Sequence, residues 1–306
     1  MLSPRYFCYT IFMASYISHY LAAKAVIEKT GNSLIKEYAD CFILGAQGGD
    51  LLFYAFGQFK GYGARTHKEK TAEIFSAALD YCRREKRPEP LAYTLGLLTH
   101  YALDSTAHPY VVYEAKERLS AVYPPHLDKC LHMMLETRID CEMKKRAKEF
   151  SEDCALKKVI PTTKRAAKSL ADVWYNAIDK VFDADVLYKL LLKLPSRMYR
   201  YQKVFLKPRS LSCAVLRFAC KKLNYPAYIQ GFFLPDKNTP AYDVMNIEKR
   251  PFPSYTGSSL QKSENWFDLF DEAVDKGVKL IGLYCTGTLP VDPALFRVNF
   301  SGGLSE

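Results

Sequence analysis

Apolar positions recur along most of this chain with the 3.6-residue period of a helix rather than the alternation of a strand. From Ala14 to Lys29 they form one stripe, closed by Thr30-Gly31-Asn32. Ser33 is placed to cap a second helix that runs toward Leu44 and ends at Gly45. Gln47-Gly48-Gly49-Asp50 then reads as a tight turn presenting Asp50. A helix is expected from His67 to Arg84, stopped by Arg87-Pro88-Glu89-Pro90. Leu91 to Thr106 is strongly apolar and is expected at the centre of the fold; Pro109 disfavours helical geometry at His108 and places that histidine at the helix end. Leu127 to Phe150 predicts a long helix, with further helical patterns near 164–182, 184–200 and 210–222. Asn224 to Gln261, rich in Pro, Tyr and Gly, reads as an irregular excursion, and Ser263 is placed to cap a final helix through Leu283.

No stretch alternates cleanly, and there is neither a glycine-rich phosphate loop nor an internal repeat. The expected architecture is all-α, a single multi-helix domain over residues 1–306, with residues 1–12 as an extension ahead of Met13, an alternative initiator. Residues of the hydrophobic class make up 49% of the chain, enough for a sizeable core. The net charge of +10 is scattered in short groups such as Lys144-Lys145-Arg146, which describes a solvated basic surface or one drawn to anionic lipid and phosphate-bearing substrates. Nine cysteines, irregularly spaced and without a Cys-x-x-Cys pair, read as reduced thiols and give no support to a cysteine–zinc site. Leu2 to Ser18 is too short and too interrupted for a membrane span, and it lacks a clean cleavage site. The expectation is a cytoplasmic protein without a transmembrane segment, secretion being the alternative.

The chemistry concentrates in His100-Tyr101-Ala102-Leu103-Asp104-Ser105-Thr106-Ala107-His108. At helical spacing, positions 100, 104 and 108 fan over roughly 80° of one face, so their side chains can converge. Two imidazoles and a carboxylate on a buried face need a neutraliser, and a divalent cation such as zinc suits that donor set. His132 and Glu136 are again four apart, flanked by apolar residues, while His19, Asp50 and His67 complete the candidates. Of the chain's six histidines, only His126 is left over. Each element alone has an ordinary structural explanation; their joint occurrence in a histidine-poor chain carries the argument.

Gly45-Ala46-Gln47-Gly48-Gly49-Asp50, Arg65-Thr66-His67, the run from Leu97 to Pro109 and His132-x-x-x-Glu136 resemble the zinc-dependent phospholipase C family, whose fold and ligand set single-strand-specific zinc nucleases share. The resemblance implies that Asp50, His67, His100 and Asp104 hold one zinc, that His108, His132 and Glu136 hold a second, and that His19 with a bridging Asp104 contributes to a third. It implies hydrolysis of a phospholipid or related phosphodiester by activated water, with Asp50 orienting or deprotonating that water, and two or three Zn2+ ions as cofactor. Secreted relatives bind the third zinc through an N-terminal tryptophan, whereas the tryptophans here are Trp174 and Trp266. Leu51 stands where choline-specific relatives place a headgroup-contacting aromatic, and no C-terminal β-domain is expected. Expected partners are the phosphodiester substrate and peripheral anionic membrane, without a stable nucleic-acid partner. Two further readings stay open: a nuclease or nucleotidase on the same scaffold, and a non-catalytic helical protein stabilised by metal.

Overall fold

A computed structural model describes residues 15–55, 61–123, 125–147, 156–205, 215, 218, 242–287 and 290–305. The expected N-terminal extension, most of the 210–222 helical pattern and the first part of the 224–261 excursion lie outside the described residues. The elements run α1 (Tyr16–Thr30), α2 (Ser33–Glu37), α3 (Ala39–Ala46), a 3-10 turn (Gly48–Tyr54), α4 (Tyr62–Lys68), α5 (Thr71–Glu85) and α6 (Pro88–Tyr113). A π-turn (Glu114–Leu119), α7 (Ser120–Val122), a 3-10 turn (Pro125–Cys130), α8 (Leu131–Arg146), α9 (Leu156–Val159), α10 (Lys164–Phe182), α11 (Tyr188–Leu191) and α12 (Leu194–Phe205) follow. The last long helix is α13 (Trp266–Tyr284). Strand structure among the described residues is a two-residue antiparallel ribbon, Phe252–Pro253 with Gln261–Lys262, plus an isolated bridge between Val298 and Leu304. The class is all-α, as the periodicity predicted.

Helix α6 organises the rest. It is buried continuously from Ala92 to Val111, so it is apolar on every side except where the polar residues of the site point inward. Helices α1, α3, α10 and α13 pack around it. The approach of α3 is exceptionally close: a Cβ on Gly45 would lie 2.0 Å from the Tyr93 carbonyl oxygen, and one on Gly96 equally near that of Phe42. Glycines at both faces of the crossing let the two backbones touch, which brings the turn after α3 onto the flank of α6.

Several boundaries differ from the sequence expectation. Asn32, not Ser33, caps the second helix by accepting the Ile35 amide, and the helix breaks at Tyr38 into α2 and α3. Gln47 to Asp50 is no isolated turn but leads into the 3-10 segment. His67 does not start a helix: it lies in the last turn of α4, and Lys70, at φ 55°, separates α4 from α5. His108 is not at a helix end, because α6 continues through Pro109 to Tyr113 and then widens into the π-turn. A 3-10 turn precedes α8, so that helix starts at Leu131 and not Leu127. The 184–200 pattern divides into α11 and α12. Asn265 rather than Ser263 caps the last helix, in a reciprocal capping box with Asp268.

Candidate metal centre

All eight predicted side chains converge. Helix α1 brings His19; the 3-10 turn brings Asp50; α4 brings His67; α6 brings His100, Asp104 and His108; α8 brings His132 and Glu136. Asp50, His67, His100 and Asp104 each offer a ligand atom, and those atoms lie within 4.8 Å of one another; the same holds for His108, His132 and Glu136. In the first set, His67 Nε2 lies 3.1 Å from Asp50 Oδ1 and 3.8 Å from Asp104 Oδ2, and His100 Nε2 lies 3.1 Å from Asp104 Oδ2. In the second, Glu136 Oε1 stands 3.2 Å from His108 Nε2 and 3.3 Å from His132 Nε2. His19 belongs to neither set but joins the first at its edge, with Nε2 3.3 Å from Asp104 Oδ1 and 3.9 Å from Asp50 Oδ2.

These separations suit a shared cation. Two ligand atoms on a tetrahedral zinc, each about 2.1 Å away, stand about 3.4 Å apart. The hydrogen-bond inventory agrees: His19 Nε2, His100 Nε2, Asp104 Oδ2 and Glu136 Oε2 are buried atoms without a hydrogen-bond partner, although an oppositely polar atom is close to several of them. Groups that point at one volume and do not satisfy one another are costly in a protein interior unless something else occupies that volume. The donor set of imidazole and carboxylate is the one zinc takes.

Backbone carbonyls fix which imidazole nitrogen faces the cluster. His67 Nδ1–H donates to the Gly63 carbonyl at 2.6 Å, and His100 Nδ1–H to that of Ala46 at 3.1 Å. His108 Nδ1–H donates to the Phe300 carbonyl. In each case Nε2 faces the carboxylates, which is the arrangement that supports a metal ligand. The glycine pair ahead of Asp50 clears the same space. Gly48 adopts φ 51°, and a Cβ there would sit 2.0 Å from the His100 ring; one on Gly49 would sit 2.7 Å from the His67 ring. The motif's glycines are thus required by both backbone conformation and contact.

Electrostatics divides the two sets. Burial pulls the His100 imidazole down to about 4 despite the Asp104 charge. For His108 burial acts in the same direction but is outweighed by Asp104, Glu136 and the Phe300 carbonyl, which hold its pKa up near 10. Asp104 and Glu136 are themselves kept far below the usual carboxylate range, against burial, by the histidines around them. Both carboxylates are therefore anionic at neutral pH and ready to ligate.

Four supporting groups were not anticipated from the sequence. Asp140, on α8, accepts the Ile17 amide, the Ser18 amide and the Ser18 hydroxyl at 2.9, 2.9 and 2.6 Å, and so caps the start of α1 just ahead of His19. Burial raises its carboxyl to about 7 in spite of these three donors. The carbonyls of Ala46, Gly63 and Phe300 have no side chain to announce them. A carboxylate four residues after Glu136, on the same face of α8, is the one sign that could have pointed to Asp140.

Residues 14–184 match the family described as zinc dependent phospholipase C, and this span holds all eight converging side chains. More than half of the chain is covered, and the protein belongs to the zinc-dependent phospholipase C family. No curated protein and no solved structure matches the chain. No helix among the described residues is long and apolar enough to cross a membrane.

Proposed function

We propose that this protein is a zinc-dependent phosphodiester hydrolase acting on a phospholipid or a related phosphodiester. The observation that carries the reading is the pair of adjacent ligand sets, one of four groups and one of three, on a common helix, with buried orphaned atoms facing into both. Zinc bound by these residues would neutralise the phosphodiester, lower the pKa of water and stabilise the departing oxygen. Asp104 is placed between the sets, with Oδ2 toward His67 and His100 and Oδ1 toward His19 and, at 3.9 Å, His108. It serves as the shared carboxylate. Asp50 is buried beside His67 and is the group that orients or deprotonates the attacking water, and His19 supplies a donor for a third ion. His132, whose side chain is 29% exposed while the other ligands are almost wholly enclosed, marks the side from which a phosphate group enters.

The excess of cationic side chains supports peripheral contact with anionic lipid. A cytoplasmic location belongs to the same reading, supported by the free thiols of Cys41, Cys82, Cys130, Cys141 and Cys285. Zinc analysis of the purified protein, followed by parallel assays on phosphatidylcholine, phosphatidylinositol, bis-p-nitrophenyl phosphate and single-stranded DNA, tests the proposal. Zinc in at least two equivalents with hydrolysis of a lipid is the expected outcome. Cleavage confined to DNA would make the protein a nuclease, and zinc without hydrolysis of any of these substrates would make the centre structural.

A further inference from the structure

The C-terminal turn folds back onto the metal centre from outside the family-matched span. It is closed by the Val298–Leu304 bridge and by the Asn299 side chain, whose Oδ1 accepts the Ser301 and Gly303 amides, both at 3.0 Å. Asn299 Nδ2 donates to the Leu304 carbonyl at 3.2 Å and to the Lys68 carbonyl at 3.1 Å, which ties the turn to the end of α4. The Ser301 amide donates to the carbonyl of His67 itself at 3.1 Å. Between these anchors the Phe300 ring lies 5.5 Å from the His67 ring and 5.6 Å from the His100 ring, centre to centre, and the Phe300 carbonyl receives the Nδ1–H of His108.

The seat of the turn on α6 is equally specific. A Cβ on Gly302, which has φ 75°, would lie 2.7 Å from the Pro109 nitrogen and 2.9 Å from the His108 carbonyl carbon. Proline removes a backbone N–H at the point where the turn presses against the helix, so no helical donor is stripped of its partner there. Glycine is needed opposite it for the backbone angle and for the approach.

We infer that the Asn299–Gly303 turn is the positioning element of the second ligand set, with the Phe300 carbonyl holding His108 so that Nε2 faces Glu136. The alternative acceptor for His108 Nδ1–H is Asp104 Oδ1, 3.9 Å away. With the Phe300 carbonyl in place, His108 does not compete for the carboxylate that the first set needs. Loss of the turn frees the imidazole to swing toward Asp104, weakening the second set directly. This inference rests on the metal-centre reading above, and its test separates the two.

The test uses full-length protein labelled with 15N-histidine, in which an imidazole N–H bonded to a buried carbonyl gives a downfield proton resonance protected from exchange. The unaltered protein should show such resonances for His67, His100 and His108, of which one, that of His108, disappears in His108→Gln. Gly302→Ala and the less strained Asn299→Ala should both lose the His108 resonance, keep those of His67 and His100, and weaken one zinc equivalent by about 10- to 100-fold in competition with a chelator, the range for groups that orient metal ligands. Asn299→Asp keeps an acceptor for the Ser301 and Gly303 amides but loses the donor to Lys68 and Leu304, and should weaken binding less than Asn299→Ala. Variants that melt earlier yet bind zinc as tightly as the unaltered protein would overturn the inference, as would absence of the His108 resonance from the unaltered protein. If the unaltered protein bound no zinc, the hydrolase reading would fall, while the His108 resonance, present or absent, would still decide whether the turn holds His108.

Discussion

The two ligand sets share one helix yet are built in opposite ways. The first is enclosed: its four side chains come from the turn after α3, from α4 and from α6, and all are buried. Its imidazoles are held by carbonyls close to its own elements, Gly63 on α4 and Ala46 at the end of α3. The second has three side chains, one of them partly open to solvent, and its α6 histidine is held by a carbonyl nearly two hundred residues further along the chain. Local supports make the first set part of the core packing. The second depends on long-range closure, which is the arrangement expected of the side that must admit a substrate.

The largest effect is expected where the sets meet. Asp104→Asn removes the carboxylate proposed to be shared; zinc content should fall and hydrolysis should drop by more than about 100-fold, beyond the range of changes to supporting groups. Retention of hydrolysis by that variant would show that Asp104 is not shared. Next, Gly48→Ala drives a methyl into the His100 ring and adds strain at a positive φ, so it should disable the first set while His108, His132 and Glu136 still bind one equivalent. Per-site zinc titration reads this directly, and loss of both equivalents would mean that the sets load only together. His132→Ala should have a narrower effect, releasing the second equivalent and leaving the first bound, with the fold intact because His132 is the least buried ligand.

A smaller effect separates the sets by pH in the chelator-treated protein. His100 has its folded pKa lowered to about 4, so the folded state binds fewer protons than the unfolded chain between about 4 and the ordinary histidine value near 6.5. Its contribution makes stability rise with pH across that window. His108 is held up near 10, so the folded state binds more protons above 6.5, and the stability this gives is fully present below 6.5 and lost as pH rises toward 10. The two histidine contributions therefore slope in opposite directions on either side of pH 6.5, and His108→Gln should flatten the alkaline loss of melting temperature relative to the unaltered protein. An alkaline limb unchanged by His108→Gln would contradict the assigned direction for His108.

The side chains of both sets were legible in the sequence because each carries its chemistry in its identity and the spacing of four places pairs on one helix face. The breaks between helices were not. Tyr38 and Lys70 interrupt otherwise continuous helical patterns, and neither residue type is a helix breaker; Lys70 takes its φ of 55° in the folded chain, where its amine also reaches the Val181 carbonyl. Pro109 misled in the other direction. A proline normally ends a helix, but here tertiary packing around a buried α6, with Gly302 seated against the proline, outweighs the local penalty. The supports of the site were the least visible part, since a carbonyl oxygen such as that of Ala46, Gly63 or Phe300 is the same in every residue type.

His100, Asp104 and His108 also act as marks on a ruler. Successive members are four residues apart on α6, and an α-helix rises 1.5 Å per residue, so their Cα atoms climb the axis in steps of about 6 Å. Those steps are set by peptide geometry and by the helix hydrogen bonds, both far stiffer than any loop. The turns, caps and supporting carbonyls around the centre decide how well each mark is aimed, but they cannot alter the graduation. Sequence change in the surrounding elements can therefore tune access and affinity, while the longitudinal scale of the centre passes unchanged from one variant to the next.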